Sequence, residues 1–122
     1  MAQHNELGKE GEQKALQMLQ AKGYTILETN WRQQKDEVDI IAKDHDELVI
    51  VEVKTRSTDY FGNPEEAVTP RKARNLIRAA EAYIEINDLD TDVRFDIVSI
   101  ILTKEKMVIN HIVDAFYAAD FQ

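Results

Sequence analysis

The chain has 122 residues, a formal net charge of -8, and a composition that is 43% hydrophobic and 31% charged. That length fits one domain over residues 1–122 with a single core, and the acidic balance argues against a nonspecific nucleic-acid coat, which is usually basic. Without cysteine there are no disulfides or thiolate metal centres, and no apolar run approaches the ~18–20 residues a membrane span needs.

The opening "MAQHNELGKEGEQ" is polar and acidic-leaning, unlike a signal or transit peptide, so the expected location is cytoplasmic. From Glu6 to about Lys22 the pattern is helical. Leu7, Gly11, Ala15, Met18 and Leu19 recur at helical spacing, and Gly23 supplies a stop. "YTILETNWR" predicts a strand. Two more follow, "EVDIIAK" and "ELVIVEVK", separated by a short polar turn. The polar loop "STDYFGNPEEAV" leads to a second helix, with Thr69 as N-cap and Pro70 at the first helical position. Its predicted apolar stripe is Ala73, Leu76, Ile77, Ala80 and Ile84. The strands "VRFDIVSIIL" and "KMVINHIV", joined by the turn "TKEK", come next. A short helix "DAFYAADF", capped by Asp114, closes the chain. The expected fold is α/β: a mixed five-stranded sheet flanked by helices, in the order α-β-β-β-α-β-β.

The second and third strands carry charges that strands rarely tolerate: Glu37, Asp39, Glu52 and Lys54. In "ELVIVEVK" both faces begin apolar, as befits a central strand. Pairing the two strands antiparallel through a two-residue turn at His45-Asp46, or a four-residue turn from Asp44 to Glu47, places Asp39 opposite Glu52, Glu37 opposite Lys54 and Ile41 opposite Ile50. The other face then joins Val38, Ile40 and Ala42 to Val53, Val51 and Val49. An odd-length turn would set carboxylates against valines, so the hydrophobic pattern selects this register.

Asp39 and Glu52 so placed repel each other unless a positive charge intervenes. A divalent cation fits, since Mg²⁺ takes one or two carboxylates together with waters and phosphate oxygens. Lys54 lies close enough to orient an attacking water. Equally compatible with the spacing is a strand-end ion cluster in which Lys54 and Glu37 merely neutralise the pair. Glu12, at the edge of the first helix's buried stripe, could reach the sheet and complete a metal shell, or simply snorkel to solvent.

The ordered set of a helical Glu12, a strand Asp39 and then Glu52-x-Lys54 resembles the restriction-endonuclease-like PD-(D/E)xK nuclease superfamily. Closer still is the YraN family of uncharacterised bacterial proteins, which look like relatives of Holliday junction resolvases. The resemblance runs through "GKEGEQKALQMLQAKGYTILETNWR", "DEVDIIAKDHDELVIVEVKTR", "FGNPEEAVTPRKARNLIRAAEAYI" and "VRFDIVSI". It implies a metal-dependent nuclease acting on DNA. Asp39, Glu52 and the carbonyl of Val53 would hold Mg²⁺ or Mn²⁺, Glu12 would add an outer ligand, and Lys54 would position the water. Asp36 stands where the family pattern usually has Gly, and Val38 replaces the Pro of the superfamily's name.

Basic residues that could grip phosphates are Arg56, just past the third strand, and Arg71, Lys72 and Arg74 on the second helix. Arg78 continues that row, or pairs with Glu81 or Glu85. Tyr60 and Phe61 are candidates for DNA contact or for packing, and Trp31 reads as core. His4, His45 and His111 read as surface or turn residues, and Asp96 as a structural carboxylate pairing with Arg56 or Arg94. A homodimer through "AFYAADF" is compatible with the resemblance. Two other functions compete with the nuclease: a nucleic-acid-binding module of the same fold without cleavage, and an acidic scaffold for a basic partner.

Overall fold

The computed structural model describes residues 2–57 and 68–121. Tyr60, Phe61 and the loop residues Gly62 and Pro64 lie outside them. The elements are α1 (Ala2–Ala21), β1 (Thr25–Gln33), β2 (Asp36–Asp44), β3 (Glu47–Arg56), α2 (Pro70–Ile86), β4 (Val93–Leu102) and β5 (Met107–Phe116). The strands form one mixed sheet in the order β1-β2-β3-β4-β5. Only β3 and β4 pair in parallel, joined by the crossover through α2; the other neighbours are antiparallel.

Helix α1 covers one face of the sheet. Its fully buried Ala15 and Leu19 meet Ile40, Ala42, Val49, Val51, Val98 and Ile100. Helix α2 covers the other, setting Leu76, Ala79, Ala80 and Tyr83 against Ile41, Leu48, Ile50 and Phe95. β3 is thus central and buried on both sides, as its doubly apolar pattern predicts. Gly23 ends α1 with a φ of 94°, a conformation costly for any residue with a Cβ. At the start of α2, Thr69 Oγ1 accepts the Lys72 backbone N–H over 3.2 Å, with Pro70 beside it in the first turn. The buried stripe of α2 takes in Ala79 and Tyr83 rather than Ile77 and Ile84, which pack at its margin.

The β2–β3 register is the one the hydrophobic pattern selects, from Asp44–Glu47 to Ile40–Val51 around the turn at His45-Asp46. The ladder stops there. Val38 packs on the α2 side although Ile40, two residues away, packs on the α1 side. Simple alternation therefore fails at Asp39. The same level of β1 carries Asn30 with a left-handed φ of 50°. Glu37 does not reach Lys54; it pairs across β1–β2 with Arg32 at 3.2 Å.

Two further expectations change. β5 runs on to Phe116, and Asp114 is inside it with a φ of 55°, so Asp114 caps no helix; the closing helix is a single 3-10 turn over Ala118–Phe121. His111 is not a surface residue. Its side chain is 3% exposed, and its Nε2 lies 2.7 Å from Asp96 Oδ2. Asp96 also accepts two bonds of 3.0 Å from the Arg94 guanidinium and one from the Asp114 backbone N–H. Arg94 in turn reaches Asp44, Glu47 and Tyr24. The structural role expected for Asp96 holds, with Arg94 as its partner. Its burial favours the protonated form, but the bonds from His111, Arg94 and Asp114 outweigh that and hold the carboxyl below the usual range.

Candidate metal centre

The end of the β2–β3 ladder creates the site. Where β2 leaves β3, Asp39 Oδ2 accepts the backbone N–H of Val53 over 2.8 Å, replacing a strand-to-strand bond with a side-chain one. The gap admits groups from both faces of the sheet. Glu12 approaches from α1, close enough for its charge to act on Asp39. Glu52, only 9% exposed, comes from β3 and lies close enough to the Asp39 carboxyl for each to act on the other's titration. Two carboxyls crowded together away from water favour a state in which one of them carries a proton.

Glycine makes the close approach of α1 possible. A Cβ on Gly11 would fall 1.8 Å from Thr55 Oγ1, so only glycine lets the helix settle on β3 at this level. Glu12 follows directly in sequence and is set at the rim of an open groove of about 290 Å³. Asp39, Val53, Lys54, Thr55 and Leu7 line it as well. A wider cleft of about 570 Å³, at the opposite end of the β2–β3 hairpin, is lined by Leu27, Leu48 and Leu89 with Lys43, Asp46, Asp90 and Thr91.

The electrostatics follow from crowding acids in a dry place. Burial pushes Glu52 up to about 7, with Asp39 adding to the rise and Lys72 opposing it. Burial also raises Asp39, against the pull of the Val53 N–H, Glu52 and Lys72. Glu12 is raised by burial and by the charges of Asp39 and Glu37. The pair is best described as titrating together, one proton serving both carboxyls near neutral pH.

The cation nearest Glu52 is one that sequence reasoning assigned elsewhere. Lys72 Nζ lies 3.3 Å from Glu52 Oε2. Its position in the first turn of a helix covering the Leu48, Ile50 and Glu52 face was the available signal, but reading it required knowing which face α2 covers. Lys54 is exposed at the groove, Arg71 and Arg74 are exposed on α2, and Arg56 is half-buried at the end of β3. Arg78 leaves the phosphate row. It grips Asp36 through two bonds of 2.7 Å and pairs with neither Glu81 nor Glu85. That grip holds Asp36 below the usual carboxylate range and explains how a buried acid is tolerated where the family pattern has Gly.

Among the described residues no three His, Cys, Asp or Glu side chains form a ready-made cage for a metal ion. The donors at hand are the Asp39–Glu52 pair, the Val53 carbonyl at the same level of β3, and Glu12 further out. This set offers oxygen donors alone, without the nitrogen or sulfur ligands that Zn²⁺ sites usually contain. It suits Mg²⁺ or Mn²⁺, hard ions held by one or two carboxylates with water and substrate oxygens filling the rest.

Fold and site together define an α/β domain whose buried carboxylates meet where a central mixed sheet opens. Residues 11–100 match the uncharacterised protein family UPF0102, and the chain belongs to that family, the YraN family its motifs resemble. It is 53% identical over 117 residues to a UPF0102 protein of Christiangramia forsetii, covering 96% of this chain and 98% of that one. A UPF0102 protein of Flavobacterium psychrophilum is 51% identical, with the same coverage of both chains. One from Phocaeicola vulgatus is 48% identical over 96% of this chain and 97% of its own. No helix among the described residues is long and apolar enough to cross a membrane.

Proposed function

We propose that this protein is a metal-dependent nuclease that hydrolyses phosphodiester bonds in structured, branched or single-stranded DNA. The observation that carries the reading is the Asp39–Glu52 carboxyl pair, buried together at the ladder's end with Glu12 and Lys54 at the same groove. Negative charge kept out of water in this way is relieved by a proton or by Lys72, and a hard dication can take the place of both.

Asp39, Glu52 and the Val53 carbonyl would hold Mg²⁺ or Mn²⁺, with Glu12 as an outer ligand. A bound dication supplies charge stabilisation for the scissile phosphate and a lowered pKa for the attacking water. Lys54 projects from the strand end beside Asp39, and its ammonium orients that water. The backbone bond from Val53 fixes the Asp39 carboxylate in one rotamer, so the acid is preorganised before substrate arrives. Arg56, Arg71 and Arg74 offer charge to flanking phosphates. The cysteine-free chain suits the cytoplasm, and a homodimer through the C-terminal "AFYAADF" is part of the same reading.

A nucleic-acid-binding module without cleavage is the second reading, favoured by the absence of a three-acid cage among the described residues. The test is a cleavage assay of the full chain with Mg²⁺ or Mn²⁺ on linear, flapped and four-way DNA. Metal-dependent cutting of branched or single-stranded substrates is expected. Binding without cutting gives the second reading, and neither binding nor cutting rejects both.

A further inference from the structure

We propose that Lys72 is the site's built-in counter-ion: it holds Glu52 while no dication is bound, yields when one arrives, and then serves a nucleic-acid phosphate. The inference rests on the metal-dependent reading above.

Glu52 is a nearly enclosed acid, its side chain 12% exposed, and its ion-pair partner is a lysine whose own side chain is 41% exposed. That asymmetry matters. The acid cannot turn to water, whereas the ammonium can. Their single contact of 3.3 Å contrasts with the grip two turns along the same helix, where Arg78 holds Asp36 through two bonds of 2.7 Å. A planar fork locked on both oxygens is a fixture; a compact ammonium on a flexible four-carbon stem exchanges readily.

The backbone of Lys72 is fixed by its N–H bond to Thr69 Oγ1, so only the side chain is free to move. An ammonium on Glu52 and a dication on the same carboxyl compete for one oxygen and repel each other. Lys72 must therefore leave as a dication binds. Swinging outward, it stays in the first turn of α2 beside exposed Arg71, where the helix N-terminus also favours anions. Metal occupancy and phosphate affinity become coupled through one side chain, and linkage makes the coupling reciprocal.

The test uses the full chain as wild type, Lys72→Met, Lys72→Gln and Lys72→Arg. MgCl₂ is titrated against thermal stability at pH 8.5, above the range in which Glu52 protonates. Anisotropy of a fluorescein-labelled single-stranded oligonucleotide is compared in CaCl₂ and in EDTA. Both charge-removing variants should bind Mg²⁺ about tenfold more tightly than wild type, while Lys72→Arg does not. Ca²⁺ should strengthen oligonucleotide binding about tenfold in wild type and leave the Met and Gln variants unchanged. A purely structural lysine would weaken or spare metal affinity on removal, and either result overturns the proposal. So does tighter Mg²⁺ binding with a wild-type response to Ca²⁺, because the hand-over to phosphate then fails. Where no variant and no wild-type protein binds Mg²⁺, the metal reading falls and this proposal with it; equal Mg²⁺ binding in all four removes only the role of Lys72.

Discussion

Val53 donates its backbone N–H to the Asp39 carboxylate over 2.8 Å, and with that bond the pairing of β2 and β3 gives way to the site. Asparagine can accept the same bond, whereas alanine cannot. Asp39→Asn should therefore keep the fold. Asp39→Ala should lose about 1–3 kcal/mol from the unsatisfied buried N–H. Mn²⁺ at a hundred times its Kd should stabilise the wild type by about 2.7 kcal/mol. The Asn variant should lose most of that gain, as read from melting curves with and without MnCl₂. An unchanged gain would remove Asp39 from the metal shell.

Stability without metal should depend on pH in a direction opposite to that of ordinary acid denaturation. Glu52 titrates at about 7 in the folded chain against 4.5 for a free glutamate, so between those values the folded state holds the extra proton. Stability accordingly falls as pH rises through that window. Glu52→Gln should flatten the profile. It should exceed the wild type at pH 8 and match it near pH 4.5, in urea melts across that range. A wild-type curve flat between these values would refute the shared-proton description.

Asp96 should act in the reverse sense. Its folded value is held below the ordinary 3.8, so its contribution is present above that pH and disappears as pH falls through the lower, folded value. Asp96→Ala leaves Arg94 and the ring of His111 buried without their acid, and should cost about 3–5 kcal/mol. The Mn²⁺-induced rise in melting temperature should persist in any fraction that folds. Loss of metal binding in a folded Asp96→Ala variant would tie this network to the site.

Chemistry and binding should separate between Lys54 and Arg74. Lys54→Ala should slow cleavage by a factor on the order of 10²–10⁴, a range common for positioned proton-transfer groups, with oligonucleotide affinity nearly unchanged. Arg74→Ala should weaken binding and reduce its salt slope by about one, sparing the rate per bound complex. Single-turnover cleavage and salt-dependent anisotropy distinguish the two. Parallel losses in both variants would contradict the assigned roles.

Much of the fold was legible because its signals are local. Thr69 and Pro70 mark the start of α2 and Gly23 the end of α1, through backbone groups within a few residues of each. The β2–β3 register follows from side-chain alternation, since one wrong step would bury carboxylates against valines. That register brings Asp39 near Glu52, but the ladder ends at Ile40–Val51, so the expected Asp39–Glu52 and Val38–Val53 pairs do not form and the two carboxyls meet in the gap instead. The break in alternation at Val38 does not follow from the register, because it arises where β1 and β2 depart from regular geometry together, at Asn30 and Asp39.

What tertiary structure alone decided is which charge meets which. Lys72 reaches Glu52 and Arg78 reaches Asp36 because α2 crosses over that face of the sheet on its way from β3 to the parallel β4. His111 reads as a surface or turn residue in sequence, yet it lies against Asp96 because β5 turns back beside β4. Helical and strand periodicities say which side of an element is buried, but an ion pair between distant elements depends on their relative placement. The charged residues were visible in the sequence; their partners were set by packing the two helices onto opposite faces of one twisted sheet.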